Sequence, residues 1–150
     1  MEVKVMKNVL AMNDEAAAEN AELFQRDRVF VLNLMGSPGA GKTTLLERTL
    51  QALKDEMRIA VIEGDLFTSK DAERIDRLGV PVVQINTSGG CHLDAPMVKS
   101  ALSSIDLDSL DMLIIENVGN LVCPAEFELG QDKKAVVLSI TEGDDKPLKY

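Results

Sequence analysis

Gly36-Ser-Pro-Gly-Ala-Gly-Lys42-Thr43-Thr44 is the stretch that decides the fold, and the apolar run of residues 29–35 leads directly into it. It satisfies G-x-x-x-x-G-K-[ST], a pattern in which backbone N–H groups of a glycine-rich loop surround nucleotide phosphates. Lys42 is placed to reach the β- and γ-phosphates, and the Thr43 hydroxyl to ligate Mg²⁺. A plain strand-to-helix turn would not require this Lys-Thr pair. We therefore predict a nucleotide site formed by Gly36, Ser37, Gly39, Ala40, Gly41, Lys42, Thr43 and Thr44.

Length and charge limit the remaining possibilities. The 150 residues suffice for one α/β domain, residues 1–150, with an aliphatic core, because aromatic residues make up only 3% and Trp is absent. The formal net charge of −9, spread over both halves of the chain, argues against a nucleic-acid partner. No apolar run approaches the ~20 residues that span a bilayer, and the N-terminus has no secretory apolar region. We expect a cytoplasmic protein without a membrane partner, whose two cysteines are free thiols or metal ligands.

Strand and helix patterns alternate along the chain. Residues 8–26 predict a helix that packs across the domain through Leu10, Ala17, Ala21 and Phe24. A second helix is predicted over residues 44–55, beginning near Lys42, with one face formed by Leu45, Leu46, Thr49, Leu50 and Leu53. A third helix is predicted to end at Arg77, and Ser69 or Thr68 can cap its start. A fourth is predicted over residues 94–104. Apolar runs predict strands at residues 29–35, 58–63, 80–85, 111–116 and 134–140.

Continuous apolar strands that alternate with helices indicate a parallel sheet covered on both faces. The ligand of such a sheet binds at the carboxyl ends of its strands. The loops that leave those ends should therefore carry the chemistry.

Two acidic residues stand at predicted strand ends. Asp65 follows the second strand, and Glu116 ends the fourth with Gly119 three residues later. A phosphate-loop enzyme needs a carboxylate near Mg²⁺ and a flexible backbone near the γ-phosphate, and Glu116-x-x-Gly119 supplies both as a variant of D-x-x-G. We expect Thr43 with Asp65 or Glu116 to hold Mg²⁺, and Asp65 is a candidate for orienting the attacking water. Lys42, Asp65 and Glu116 are thus the predicted catalytic residues, although capping or solvation would also explain either carboxylate.

Cys91, His92 and Cys123 form a second candidate site. Thiolate and imidazole ligands suit Zn²⁺ or Ni²⁺, and the preceding Gly89-Gly90 allows the bend that adjacent ligands need. Three ligands per chain fall short of four, so a two-fold dimer could complete the site. From spacing alone, two small buried cysteines and a surface histidine explain the pattern equally well.

Four sequence blocks carry a resemblance to a known protein family: Gly36-Ser-Pro-Gly-Ala-Gly-Lys-Thr-Thr44, Glu63-Gly-Asp65, Thr87-Ser-Gly-Gly-Cys-His-Leu-Asp-Ala95 and Glu116-Asn-Val-Gly-Asn-Leu-Val-Cys-Pro124. In this order they closely resemble the HypB family of hydrogenase nickel-incorporation GTPases. The resemblance implies a three-layer SIMIBI-class P-loop fold and a GTPase that forms a homodimer with GTP. It further implies Ni²⁺ or Zn²⁺ at Cys91, His92 and Cys123, with Mg²⁺ and switch carboxylates at Asp65 and Glu116. The implied partners are a nickel chaperone and the hydrogenase large subunit.

The chain departs from the family in two respects. Residues 1–28 lack the Cys-rich or His-rich stretch of some members, which argues against high-capacity nickel storage. The Asn-Lys-x-Asp guanine-recognition motif is absent, so we expect the base-recognition part to be missing from the C-terminal side. The preference for GTP over ATP therefore rests on the resemblance.

Other functions remain open. The urease-activating nickel GTPase UreG shares the class, but its metal motif reads Cys-Pro-His, whereas Cys91 and His92 are adjacent here. A small-molecule kinase would need a lid rich in Arg, and only Arg74 and Arg77 are near. A metal chaperone that binds nucleotide without hydrolysing it is a third possibility. A ParA/MinD-like ATPase is disfavoured, because its additional loop Lys would fall at Ser37.

Overall fold

The computed structural model describes residues 2–149, with side chains described for residues 10–148. Its helices are α1 Glu2–Asp27, α2 Lys42–Leu53, α3 Lys70–Asp76, α4 Ala95–Leu102, α5 Cys123–Glu126 and α6 Lys146–Lys149. Its strands are β1 Phe30–Gly36, β2 Ile59–Asp65, β3 Val82–Asn86, β4 Met112–Glu116 and β5 Lys133–Val137. Among the described helices, none combines the length and the apolar character that crossing a bilayer requires.

The five strands form one parallel sheet in the order β3-β2-β4-β1-β5. The order jumps from β2 to β4 and places β1 between β4 and β5, which requires helical crossovers on both faces. Glu63 on β2 and Leu34 on β1 both lie opposite Glu116 on β4. The carboxyl ends of the three central strands therefore meet at one edge, as the sequence predicts for the site.

An apolar core lies on each face of the sheet. Val61 and Ile114 pack toward α2 and α3, whereas their neighbours Ile62 and Leu113 pack toward α1 and α4. All four are at most 1% exposed, because successive strand residues point to opposite faces and both faces are covered. Burial of each such side chain contributes about 1.5–3 kcal/mol. The aliphatic three-layer core is confirmed.

Helix α1 is anchored by amides as well as by the predicted apolar side chains. Ala17 and Phe24 are buried, but so are Asn13 and Asn20. The Asn20 side-chain amide donates to the Ala95 carbonyl at 3.0 Å and to the Leu129 carbonyl at 3.1 Å. Asn13 accepts from the Ala95 N–H at 2.8 Å and donates to the Glu128 carbonyl at 2.8 Å. The prediction missed these residues, because Asn on a helix is ordinarily assigned to the solvent face.

Two details of the predicted helices are wrong. Leu45 is 50% exposed rather than packed on the sheet, since Leu46 and Leu50 already cover the strands beneath α2. Ser69 occupies the position before α3, but no side-chain cap forms there. Its hydroxyl instead donates to Glu73 Oε1 at 2.6 Å, so the carbonyl of Ser69 alone begins the helix.

The fifth strand and the loop after the fourth also differ from the prediction. Strand β5 ends at Val137 rather than at residue 140, and Ile140–Glu142 forms a 3₁₀ turn with a capping box at Ser139. The predicted long loop of residues 117–124 ends in the first turn of α5, which begins at Cys123. A proline in the first helical turn needs no N–H partner, so Pro124 is compatible with this helix start.

Candidate nucleotide and metal sites

The phosphate-binding loop has the shape that its glycines predict. Gly39 and Gly41 have φ angles of +75° and +99°, in the left-handed region that favours glycine. The Lys42 side chain is 7% exposed and folds back over the loop, where Nζ donates to the carbonyls of Gly36 at 3.1 Å and Ser37 at 3.4 Å. The ammonium group and the N-terminus of α2 thus face the same concave space.

That space is a cavity of about 400 Å³ at the carboxyl edge of the sheet. Strands β2 and β4, the phosphate-binding loop and helix α3 all contribute to it. Its charged lining residues are Lys42, Glu63, Asp65, Asp71, Arg74 and Glu116. The cavity has the size and the converging polar groups of a small-molecule site.

Thr43 and Glu116 are joined directly inside this cavity. The Thr43 hydroxyl donates to Glu116 Oε1 at 2.7 Å, and both residues are buried. Glu116 Oε2 is buried without a hydrogen-bond partner among the described residues. A hydroxyl and an incompletely bonded carboxylate at the end of a phosphate-binding loop form a donor set that suits Mg²⁺. The structure therefore brings these two predicted magnesium ligands together.

Glu63 is a site residue that the sequence interpretation missed. It is 3% exposed, lines the same cavity and lies opposite Glu116 across the β2–β4 pair. Burial, followed by the proximity of Glu116, raises the pKa of Glu63 to about 11. Burial also raises the pKa of Glu116. Two carboxyl groups buried side by side cannot both ionise cheaply, so the neutral form of Glu63 is favoured. The available signal was that two adjacent strands each carry a Glu near the carboxyl end.

Asp65 reaches the cavity, but its carboxylate is bound to its own loop. It accepts hydrogen bonds from the Leu66 N–H at 2.7 Å, the Thr68 N–H at 3.1 Å and the Thr68 hydroxyl at 2.6 Å. These three bonds fix the turn between β2 and α3. The structure thus places Asp65 at the cavity, with Oδ1 accepting only one of these three bonds.

Cys91, His92 and Cys123 form one cluster, with their ligand atoms all within 4.8 Å of one another. The two sulfur atoms are 3.3 Å apart, and the Cys91 sulfur is 3.6 Å from His92 Nδ1. The hydrogen bond from Cys91 raises the pKa of the Cys123 thiol. The His92 ring stacks on Phe127 at 4.0 Å between centroids. Cys91 is exposed and Cys123 half-buried, so the reading of both cysteines as small buried hydrophobes is wrong.

The loop of residues 117–122 connects the two clusters. Its first end follows Glu116, and its second end leads into Cys123. Asn120 donates through its side chain to the Cys91 carbonyl at 3.1 Å and through its backbone to the Gly36 carbonyl at 3.0 Å. A Cβ on Gly119 would lie 3.0 Å from the Pro38 Cα, so any side chain there would push this segment away from the phosphate-binding loop by a few tenths of an ångström. The metal-ligand cluster and the phosphate-binding loop therefore share one connecting segment.

Comparison with known proteins agrees with this geometry. A family model described as CobW/HypB/UreG, nucleotide-binding domain, matches residues 30–141. The hydrogenase maturation factor HypB of Archaeoglobus fulgidus is 41% identical, has a TM-score of 0.85, and aligns over 93% of this chain and 68% of that chain. The chain belongs to the HypB family. The crystal structure of HypB from Helicobacter pylori in complex with nickel is 48% identical with a TM-score of 0.86, over 93% of this chain and 66% of that one.

HypB relatives known from sequence match nearly all of this chain. The hydrogenase maturation factor HypB of Rhizobium leguminosarum bv. viciae is 56% identical over 148 residues, or 99% of this chain and 50% of that protein. The Escherichia coli K12 protein is 53% identical over 150 residues, or 100% of this chain and 51% of that protein. The chain thus spans about half the length of these curated relatives. The predicted family and fold are confirmed.

Proposed function

We propose that this chain is the nucleotide- and nickel-handling part of a hydrogenase maturation factor, in which GTP hydrolysis controls the metal site. The observation that carries the proposal is the shared segment of residues 117–122, which runs from Glu116 at the nucleotide cavity to Cys123 in the metal-ligand cluster. The crystal structure of the Helicobacter pylori relative in complex with nickel supports nickel as the metal in this proposal. We further propose that residues 1–150 act as one P-loop unit in which residues 1–28 form the N-terminal helical segment.

The nucleotide half of the proposal uses the buried charges of the cavity. Gly36, Ser37, Gly39, Ala40, Gly41, Lys42, Thr43 and Thr44 bind the phosphates. When a nucleotide binds, the Lys42 ammonium group exchanges the Gly36 and Ser37 carbonyls for phosphate oxygens, since a charged acceptor makes the stronger hydrogen bond. Closure of the loop around the phosphates excludes water from the cavity and strengthens these contacts.

Mg²⁺ fits the Thr43–Glu116 pair, because the buried Glu116 Oε2 lacks a partner that a cation would supply. A bound Mg²⁺ would neutralise charge on the β- and γ-phosphates. The Thr43 hydroxyl could keep donating its proton to Glu116 Oε1 while one of its lone pairs faced the ion. Asp65 is the candidate for orienting the attacking water, although part of its acceptor capacity is used by its own loop. We expect slow turnover in the absence of a partner or a dimer that completes the site.

The metal half of the proposal uses ligands from two chains. Cys91, His92 and Cys123 give three ligands within one cluster, and Cys91 is exposed. One Ni²⁺ or Zn²⁺ ion held between the ligand clusters of two copies, each of which contributes ligands, would complete a square-planar or tetrahedral site. GTP binding favours the homodimer in this scheme, and hydrolysis moves residues 117–122, loosens Cys123 and releases the ion to its acceptors. The proposed acceptors are a hydrogenase nickel chaperone and the hydrogenase large subunit.

Urease maturation is a second candidate with an observation in its favour. The HypB of Helicobacter hepaticus, 47% identical over 152 residues, is described as a hydrogenase/urease maturation factor. Cys91 and His92 are adjacent, whereas the metal motif of the urease-activating GTPase UreG reads Cys-Pro-His. We therefore rank hydrogenase maturation above urease maturation.

The direct test of the nucleotide half is phosphate release by the purified protein with Mg²⁺ and GTP, compared with ATP and with a reaction that contains EDTA. We expect slow, Mg²⁺-dependent release with GTP. Release with ATP alone would point to an ATPase, and tight binding of both nucleotides without release would point to a chaperone that does not hydrolyse nucleotide.

A further inference from the structure

Arg74 is a cation of the nucleotide cavity that the scheme above does not use. It lies on α3 and lines the same 400 Å³ space as Lys42, Thr43 and Glu116. Lys42 and Arg74 are the only cationic side chains among the residues that line this cavity, against four carboxyl groups. A nucleotide adds two or three phosphate groups to this already acidic space. Even with a bound Mg²⁺, Lys42 alone would leave this space with a net negative charge.

Carboxylates hold Arg74 at the rim of the cavity. Its Nε and Nη2 donate to Glu47 Oε1 and Oε2 at 3.0 and 2.6 Å, a bidentate pair with a residue of α2. Its Nη1 donates to Asp71 Oδ1 at 3.0 Å. The guanidinium is fixed in orientation and only about one-third exposed. These bonds raise the pKa of Arg74, so it carries its charge at any working pH.

The fourth hydrogen bond of Arg74 places its guanidinium beside the phosphate-binding loop. Nη2 also donates to the Thr44 hydroxyl at 3.3 Å, and Thr44 is the last residue of the phosphate-binding loop. The guanidinium thus lies beside the loop that receives the phosphates, on a helix that follows the Asp65 turn. Arginine forms forked hydrogen bonds with phosphate as readily as with carboxylate. A rotation about its flexible side chain is enough to exchange one acceptor for the other.

We propose that Arg74 is the second phosphate-binding cation of this site, which Glu47 and Asp71 hold in reserve and which the phosphates of the bound nucleotide take over. The inference rests on the proposed nucleotide-binding function. Transfer of Arg74 to the nucleotide breaks its bidentate pair with Glu47 and so loosens the contact between α2 and α3.

A simpler role makes the opposite prediction. If Arg74 only ties α3 to α2, removal of Glu47 should damage the site as much as removal of Arg74 does. If Glu47 competes with phosphate for Arg74, Glu47→Gln should instead tighten nucleotide binding. The sign of the Glu47→Gln effect separates the two roles.

The experiment measures the dissociation constants of GMP, GDP and a non-hydrolysable GTP analogue with Mg²⁺ for the wild type and five variants: Arg74→Ala, Arg74→Lys, Glu47→Gln, the double variant Glu47→Gln/Arg74→Ala, and Arg77→Ala as control. Arg77 has the same charge three residues along the chain but does not line the cavity and is 74% exposed. Thermal unfolding of each variant is recorded in parallel, so that nucleotide affinities are compared only between folded proteins.

We expect Arg74→Ala to weaken binding of the phosphorylated ligands about tenfold or more, since a charged hydrogen bond is lost, and Arg74→Lys to recover part of the loss. Glu47→Gln should bind more tightly than the wild type, and the double variant should lose this gain. Arg77→Ala should match the wild type. The nucleotide at which the Arg74→Ala effect first appears identifies the phosphate that is bound.

Two results would overturn the inference: unchanged affinity in Arg74→Ala, or affinity in Glu47→Gln that is equal to or weaker than the wild type. A wild type that binds none of the three nucleotides is a different failure. It would contradict the proposed function itself before any variant is compared.

Discussion

The nucleotide site and the cysteine–histidine cluster lie at the two ends of residues 117–122, yet they are built in opposite ways. At the nucleotide end, Lys42, Thr43 and Glu116 are less than 9% exposed and already bonded to one another or to the loop. At the metal end, Cys91 is exposed, and only three ligand groups come together. The first site is preorganised within one chain, whereas the second is open. Such an arrangement suits a nucleotide site that one chain forms by itself and a metal site whose affinity depends on a further ligand.

The largest effect should come from the buried end. Lys42→Ala removes the cation that folds back over the phosphate-binding loop, so GTP hydrolysis should fall at least about a hundredfold, as when preorganised transition-state contacts are lost. Nucleotide-driven dimerisation should disappear as well. Phosphate release and light scattering measure the two losses. Ni²⁺ binding to the reduced monomer should persist, and intact hydrolysis in this variant would remove the central assignment.

Cysteine substitutions at the metal site should have the reverse effect, with weaker metal binding and unchanged GTP hydrolysis. Cys91→Ala or Cys123→Ala removes one of three soft ligands, and we expect metal affinity to fall by one to two orders of magnitude, about 1.4 kcal/mol for each tenfold step. Basal GTP hydrolysis should stay within about twofold of the wild type, because neither thiol lines the nucleotide cavity. Titration with Ni²⁺ followed by absorbance and a phosphate assay check both halves. Loss of hydrolysis in the cysteine variants would show that the two ends are not separate sites.

A smaller effect should appear when only the connection is altered. In Gly119→Ala the new Cβ would lie 3.0–3.1 Å from atoms of Pro38, so residues 117–122 must shift by a few tenths of an ångström from the phosphate-binding loop. We expect both ligands to bind, but the ratio of metal affinities between the GTP-analogue and GDP states should shrink. Gly79→Ala lies outside both clusters and controls for backbone strain alone, because Gly79 has a φ of +73°, where Ala is strained. An unchanged ratio in Gly119→Ala would argue against coupling through this contact.

The smallest effect should come from the opposite edge of the sheet. Hydrogen bonds from Arg58 lower the pKa of Asp111 to about 2, below its unfolded value near 4. A lowered folded pKa stabilises the protein above the unfolded pKa, and this contribution is lost as the pH falls from about 4 to 2. Asp111→Asn should therefore lower the thermal midpoint slightly at pH 7 and not at pH 2. Metal and nucleotide binding should not change, and any change would mean that the effects at the two sites are not local.

Much of this architecture could be predicted from the sequence, and the reasons are local. The phosphate-binding loop is a contiguous motif, and buried parallel strands show as apolar runs, so the placement of Lys42, Thr43 and Glu116 needed little tertiary information. The assignment of Cys91, His92 and Cys123 depended on the family resemblance, because spacing alone left a structural explanation open. The structure places the three side chains in one cluster.

What the sequence did not reveal depends on tertiary contacts between distant residues. Glu63 was interpreted as the end of an apolar strand, and only the β2–β4 register shows that it is buried opposite Glu116. Asn13 and Asn20 fit the pattern of solvent-facing helix residues, and only the tertiary structure shows that they bond to backbone groups of Ala95, Glu128 and Leu129. Leu45 fits the apolar face of its helix, yet the sheet beneath has no room for it. In each of these cases, burial depends on where the tertiary neighbours lie and not on the residue type.

The coupling of the two sites is the central claim, and isothermal titration of Ni²⁺ into the reduced protein tests it most directly. The titration is repeated with protein preloaded with GDP and with a non-hydrolysable GTP analogue, while light scattering reports the dimer mass. The account predicts about one ion per dimer, bound at least about tenfold more tightly in the GTP-analogue state, since typical coupling energies of 1–3 kcal/mol correspond to such factors. Equal nickel affinity in the two nucleotide states would contradict it.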